Sequence, residues 1–120
     1  SKAFNRGVVS YSNDSKIEDL GVNKDTIKNF GAVSKETAIE MAEGIQKLAG
    51  SDIGVSITGI AGPGGGTAKK PVGLMYIALA YKGNTVSKKL NLSGDRERII
   101  NVASLHVFDL IRRQVGGIEI

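Results

Sequence analysis

Apolar positions recur along this chain with two different periods, and the changes of period mark out its elements. Between Ser34 and Gly50, residues Ala38, Ile39, Met41, Ala42, Ile45, Leu48 and Ala49 fall at the three- and four-residue spacings of an amphipathic helix. Ser34 is placed to cap its start and Gly50 to end it. From Asp52 to Thr58 the period drops to two, and Ile53, Val55 and Ile57 alternate with Gly54, Ser56 and Thr58, which predicts a strand. Val72 to Tyr81 is apolar at nearly every position and reads as a strand buried on both faces. Lys82-Gly83-Asn84 is a hairpin signal, and Thr85 to Leu92 alternates enough to be its partner, with Lys88 and Lys89 marking an edge. A second long helix is expected from about Asp95 to Val115, its seam carried by Ile99, Val102, Ala103, His106, Val107, Leu110 and Ile111. Nearer the N-terminus, Gly7 to Ser12 reads as a strand. Ser15 to Leu20 and Lys24 to Phe30 read as short helices broken at Gly21 and Gly31, with Asn23 or Asp25 available as caps. Two long amphipathic helices and four strands, two of them a hairpin, predict an α/β fold in which a mixed sheet carries helical cover.

Directly after the central strand comes Thr58 to Gly73, TGIAGPGGGTAKKPVG, a stretch dominated by glycine and proline. Glycine admits positive φ and lets a ligand approach the amides, while Pro63 stiffens the turn. Successive exposed N–H groups in such a turn form a concave nest suited to a phosphate or to a developing oxyanion. Thr58 and Thr67 would add hydroxyl donors at either end, and Lys69 and Lys70 positive charge. A loop this long inside one domain is usually functional or disordered, and the competing reading is a mobile linker of small residues. Two better-known phosphate loops fail here. A Walker A motif needs Gly-Lys-Ser/Thr, but Gly66 is followed by Thr67, and in the dinucleotide pattern Thr67 stands where the last glycine belongs.

Composition narrows the chemistry. The 120 residues, 41% hydrophobic and 23% charged, suit a single domain over 1–120. No apolar run approaches the length of a membrane span and no leader pattern is visible, so a cytoplasmic home without membrane partners is expected. There is no cysteine and one histidine, and no cluster of acids at ligand spacing, so no metal site is expected. The net charge of +4 is dispersed, without a basic run or a set of stacking aromatics, which makes nucleic acid the minority reading beside an anionic small ligand. His106 sits on an apolar helix seam and reads as structural, and Glu36 and Glu40 read as one solvated helix face.

Several segments, taken in order, resemble the C-terminal domain of the CinA (competence/damage-inducible) family, which includes the stand-alone nicotinamide-nucleotide amidohydrolase. They are Gly7-Val8-Val9-Ser10-Tyr11-Ser12-Asn13 with Lys16, Leu20-Gly21-Val22, Gly31-Ala32-Val33-Ser34, Thr58 to Thr67, Lys70-Pro71-Val72-Gly73 and Ser93-Gly94-Asp95-Arg96. The resemblance implies a three-layer α/β/α sandwich that hydrolyses the carboxamide of nicotinamide mononucleotide to nicotinate mononucleotide and ammonia, with no metal and no cofactor. The family's candidate nucleophile is the serine of a Glu-Ser-Cys-Thr-Gly-Gly motif that does not occur in these 120 residues. An N-terminally truncated domain is therefore expected.

The resemblance gives Tyr11 and Lys16 the proton transfers, and Asn13 a hydrogen bond to the substrate amide or to the loop. Lys16 would need desolvation or a cationic neighbour to act as a base near neutrality. By pattern alone Tyr11 is a strand-end aromatic and Lys16 a solvated helix residue. Substrate binding is expected of Thr58, Gly59, Ala61, Gly62, Pro63, Gly64, Gly65, Gly66 and Thr67, which would hold the phosphate or face the ribose, and of Arg96 at the start of the last helix. Arg96 is equally readable as a surface arginine. One departure stands out: many relatives carry arginine four residues beyond Arg96, where this chain has Ile100. The competing function is a non-catalytic nucleotide-binding or interaction module linked to competence or DNA damage. Apolar edges left by the absent segment predict a homodimer.

Overall fold

The computed structural model describes residues 13–114, and its sheet is built around a tight hairpin. Three strands, β1 (Ile53–Gly59), β2 (Leu74–Tyr81) and β3 (Asn84–Asn91), pair antiparallel in the order β1-β2-β3. Lys82 and Gly83 join β2 to β3 with φ of 51° and 75°, the doubly positive pair of a two-residue hairpin turn, which sets Tyr81 opposite Asn84. The expected strand at Gly7 to Ser12 lies outside the described residues. Among those described, every strand pairing is antiparallel.

Four helices accompany the sheet: α1 (Asn13–Leu20), α2 (Lys24–Phe30), α3 (Lys35–Ala49) and α4 (Arg96–Gln114). Strand β2 is apolar on both faces because it separates two cores. Ala78 and Ala80 meet Ala38 and Ala42 of α3, a contact of small side chains that lets helix and sheet approach closely. On the opposite face Met75 and Ile77 join Leu90, Ile99 and Ala103, so that α4 covers β2 and β3. The result is an α/β fold with helices on both faces of the sheet, as expected. None of the described helices is long and apolar enough to cross a membrane.

In β1 the two-residue period is present, but with its polar face turned inward. Gly54, Ser56 and Thr58 are buried beneath α3, whereas Ile57 is 38% exposed. The hydroxyls are satisfied by helix-side carbonyls: Ser56 Oγ donates to Ala38 O at 2.6 Å and Thr58 Oγ1 to Ala32 O at 2.8 Å. Buried hydroxyls are tolerated when paired in this way.

The two short helices are tied to α3 by polar bonds. Asn23 caps α2, its Oδ1 accepting from Asp25 N at 2.8 Å. The Glu40 carboxylate of α3 accepts from Asn23 N at 2.8 Å and from Thr26 Oγ1 at 2.6 Å. Glu40 is thus a brace between α2 and α3, not part of a solvated face. Beneath it Leu20, Val22 and Met41 form a third apolar cluster. Ser34 caps α3 as expected, its Oγ accepting from Thr37 N at 3.2 Å, and Gly50 ends the helix in the left-handed conformation. Because Ser34 and Thr37 are both buried, Ser34→Ala is expected to cost about 1–2 kcal/mol, read as a lowered denaturant midpoint at unchanged slope.

Candidate active site

Lys16 lies one turn into α1, and the fold buries it. Only 7% of its surface is exposed, and this desolvation lowers the ammonium pKa below the ordinary lysine value of 10.5. The same helix packs against α3 around Leu20, Val22 and Met41. Lys16 is therefore not the solvated helix residue that pattern alone suggests. Asn13 is the first residue of the same helix, and Tyr11 lies outside the described residues.

The glycine loop leaves β1 at Gly59 and returns at Leu74. Its neck is closed by backbone bonds, Ile60 N to Leu74 O at 2.9 Å and Gly73 N to Ile60 O at 2.7 Å. Beyond the neck, Pro63, Gly64, Gly65, Gly66 and Thr67 are exposed, so their surface is open to a ligand, while Ala61 packs partly against the α4-side core. Gly62 is buried, and the Gly62–Pro63 peptide is cis.

Two of the expected ligand donors are engaged by the scaffold. Thr58 faces α3 and spends its hydroxyl on Ala32 O, so it anchors the strand end instead of standing free at the loop mouth. Thr67 Oγ1 accepts from Lys70 N at 3.0 Å while Thr67 N donates to Lys70 O at 2.8 Å, a local turn that shapes the loop. Arg96, at the start of α4, does reach the loop: its Nη1 donates to Gly62 O at 3.0 Å. A guanidinium has five N–H donors, so this bond leaves capacity for an anion as well. His106 stays away from the loop, its Nδ1 being 3.4 Å from Lys88 Nζ. Ile100 is exposed on α4.

A groove of about 480 Å³ between α1 and α3 is lined by Glu18, Asp19, Leu20, Glu40, Glu43 and Leu48, with Lys47 beside them. Its carboxylates would repel a nucleotide phosphate, so the anion-binding candidate remains the loop. Among the described residues no group of three or more His, Cys, Asp or Glu side chains could hold a metal.

Residues 1–115 match the family described as the CinA C-terminal domain. The chain belongs to that family. Two curated relatives are similar: a competence-damage inducible protein of Acetivibrio thermocellus, 56% identical over 115 residues, and a CinA-like protein of Kosmotoga olearia, 58% identical over 113. These matches take in 96% and 94% of this chain but only 28% and 27% of the relatives, so the chain spans under a third of their length. Among solved structures, the competence/damage inducible protein CihA of Agrobacterium tumefaciens superposes with a TM-score of 0.83 at 38% identity, covering 85% of this chain and 63% of that one. A CinA superfamily protein of Enterobacter cloacae gives 0.84 at 32%, covering 89% and 64%.

Within this CinA domain, the residues that sequence reasoning missed lie between α2 and α3. The carbonyls of Phe30, Gly31 and Ala32 are taken in turn by Lys70 Nζ at 2.7 Å, by the Ser34 and Thr37 hydroxyls at 2.8 and 2.7 Å, and by Thr58 Oγ1 at 2.8 Å. Phe30-Gly31-Ala32 is therefore the seat on which both limbs of the glycine loop rest. Its two bonds to the loop limbs span 26 and 40 residues of sequence, which no local pattern could show. The signal available was the absence of a side chain at Gly31, where a Cβ would lie 2.6 Å from Lys70 Nζ.

Proposed function

We propose that this CinA C-terminal domain carries part of the active site of an amidohydrolase that converts nicotinamide mononucleotide and water to nicotinate mononucleotide and ammonia. The observation that carries this reading is Lys16, a buried lysine with a lowered pKa, standing in the segment that resembles the family's catalytic motif. An amide is a poor electrophile, so its hydrolysis needs an activated nucleophile, donors for the oxyanion and a proton for the departing ammonia. Desolvation raises the fraction of neutral Lys16 amine, which accepts the proton of the attacking hydroxyl. The resulting ammonium then returns that proton to the amide nitrogen as the C–N bond breaks. In the second half of the cycle water attacks the acyl ester, the Lys16 amine takes its proton and returns it to the departing nucleophile oxygen as that C–O bond breaks, and the carboxylate is released. The exposed loop residues Gly64, Gly65 and Gly66, together with the remaining donors of Arg96, suit the phosphate.

The test is stoichiometric. A protein of the relatives' full length, incubated with nicotinamide mononucleotide, is expected to release ammonia and nicotinate mononucleotide in equal amounts. Saturable mononucleotide binding with no ammonia released would instead identify a nucleotide-binding module.

A further inference from the structure

We infer that Lys70 is a positioning residue, which holds the exit limb of the glycine loop against the carboxyl end of α2, and is not a counter-charge for a bound phosphate. Its ammonium donates to Phe30 O at 2.7 Å, the carbonyl of the last residue of α2. A helix C-terminus carries partial negative charge and unsatisfied carbonyls, so a cation placed there is stabilised on both counts. The seat is shaped for it: Gly31 has φ 86° and no Cβ, and a Cβ would lie 2.6 Å from Lys70 Nζ. On the loop side Lys70 is held from two directions. Its backbone pairs with Thr67 through Thr67 N to Lys70 O at 2.8 Å and Lys70 N to Thr67 Oγ1 at 3.0 Å, and Pro71 restricts it to extended conformations.

The arrangement ties the two limbs of one loop to neighbouring carbonyls of one segment. Thr58, on the entry side, holds Ala32 O, and Lys70, on the exit side, holds Phe30 O. The same segment continues into the buried Ser34 cap of α3, so the loop is registered against a helix that spans the sheet. Arg96 adds a third tie at Gly62 O. Without Lys70 the exit limb loses this side-chain bond to the helical layer, so the Thr67–Lys70 turn is no longer anchored and opens more often, and Pro63 to Lys70 no longer hold a fixed shape.

The choice between positioning and counter-charge is decided by two measurements on Lys70→Met, with Lys70→Arg as the conservative variant. The first is hydrogen exchange of the loop amides. Lys70→Met is expected to speed exchange at Thr67 by about tenfold or more, the factor for losing a hydrogen bond from a charged donor. Lys70→Arg, which keeps a cationic donor, is expected to restore most of the protection. The second is the affinity of nicotinamide mononucleotide and of the phosphate-free nicotinamide riboside, an arm that rests on the function proposed above. Positioning predicts that Lys70→Met weakens both ligands by a similar factor. Unchanged exchange at Thr67, or a loss of affinity confined to the mononucleotide, would overturn the inference. If the unaltered protein binds neither ligand, the proposed function fails and the exchange result alone still decides the role of Lys70.

Discussion

Lys16→Ala in the full-length protein is expected to lower the rate of ammonia release by about 10²- to 10⁴-fold, the range that positioned acid–base groups contribute. Mononucleotide affinity should change little, because the loss falls on proton transfer and not on phosphate binding. Lys16→Arg should not restore the rate, since a guanidinium remains protonated throughout the working range and cannot act as a base. The pH profile offers a second check. The rate should rise with pH along an acid limb whose midpoint lies below the ordinary lysine value of 10.5, as the buried amine loses its proton. Stability should follow the same sign. Between the lowered folded pKa and the unfolded value, the unfolded chain binds more protons at this site than the folded one. Stability therefore rises with pH across that window, and the penalty for burying the charge is felt in full below it. Urea midpoints measured from neutral to alkaline pH should show this rise, and Lys16→Met should flatten it.

Gly73→Ala is expected to destabilise the domain by about 2–5 kcal/mol, the sum of a backbone penalty of about 1–2 kcal/mol for a side chain at positive φ and an overpacking penalty of about 1–3 kcal/mol. Gly73 has φ 98°, and a Cβ there would overlap the carbonyl oxygen of Leu92. That carbonyl cannot simply yield, because Leu92 N donates to Gly73 O at 2.8 Å, and Gly73 N also closes the loop neck at Ile60 O. Gly83→Ala provides the comparison. It shares the positive φ, at 75°, but nothing lies within 4 Å of the added methyl, so only the backbone penalty applies. Equal losses of denaturation free energy in the two variants would refute the steric part of this account. Because Gly73 sits at the neck, its substitution should also weaken mononucleotide binding at temperatures where the protein is still folded.

The elements of this domain were legible in its sequence because their causes are local. The spacing of Ala38, Met41, Ala42 and Ile45 fixes which side of α3 is apolar, Ser34 and Gly50 fix its ends, and Lys82-Gly83 supplies the two positive φ values that a tight hairpin requires. The unbroken apolar run of β2 announced burial on both faces, and α3 and α4 supply it. The loop after Gly59 was equally visible, since eight of the sixteen residues from Thr58 to Gly73 are glycine or proline. Alternation alone did not reveal which face of β1 turns inward. Ile53, Val55 and Ile57 are the apolar set, yet Ser56 and Thr58 lie under α3, because the carbonyls of Ala32 and Ala38 can satisfy their hydroxyls.

The tertiary structure decided what the polar residues do. A lysine on a short helix carries no mark in the sequence of being dehydrated; the fold around Lys16 decides it. Likewise Arg96, Lys70 and Thr58 read as potential ligands when each is considered alone. Each acquires its role from a backbone carbonyl 26 to 40 residues away: Gly62 O, Phe30 O and Ala32 O. Periodicity, caps and turns depend on neighbours within a few residues and can be read directly from the chain. Burial and hydrogen-bond partnership depend on which distant backbone atoms arrive beside a side chain, and only the completed fold determines that.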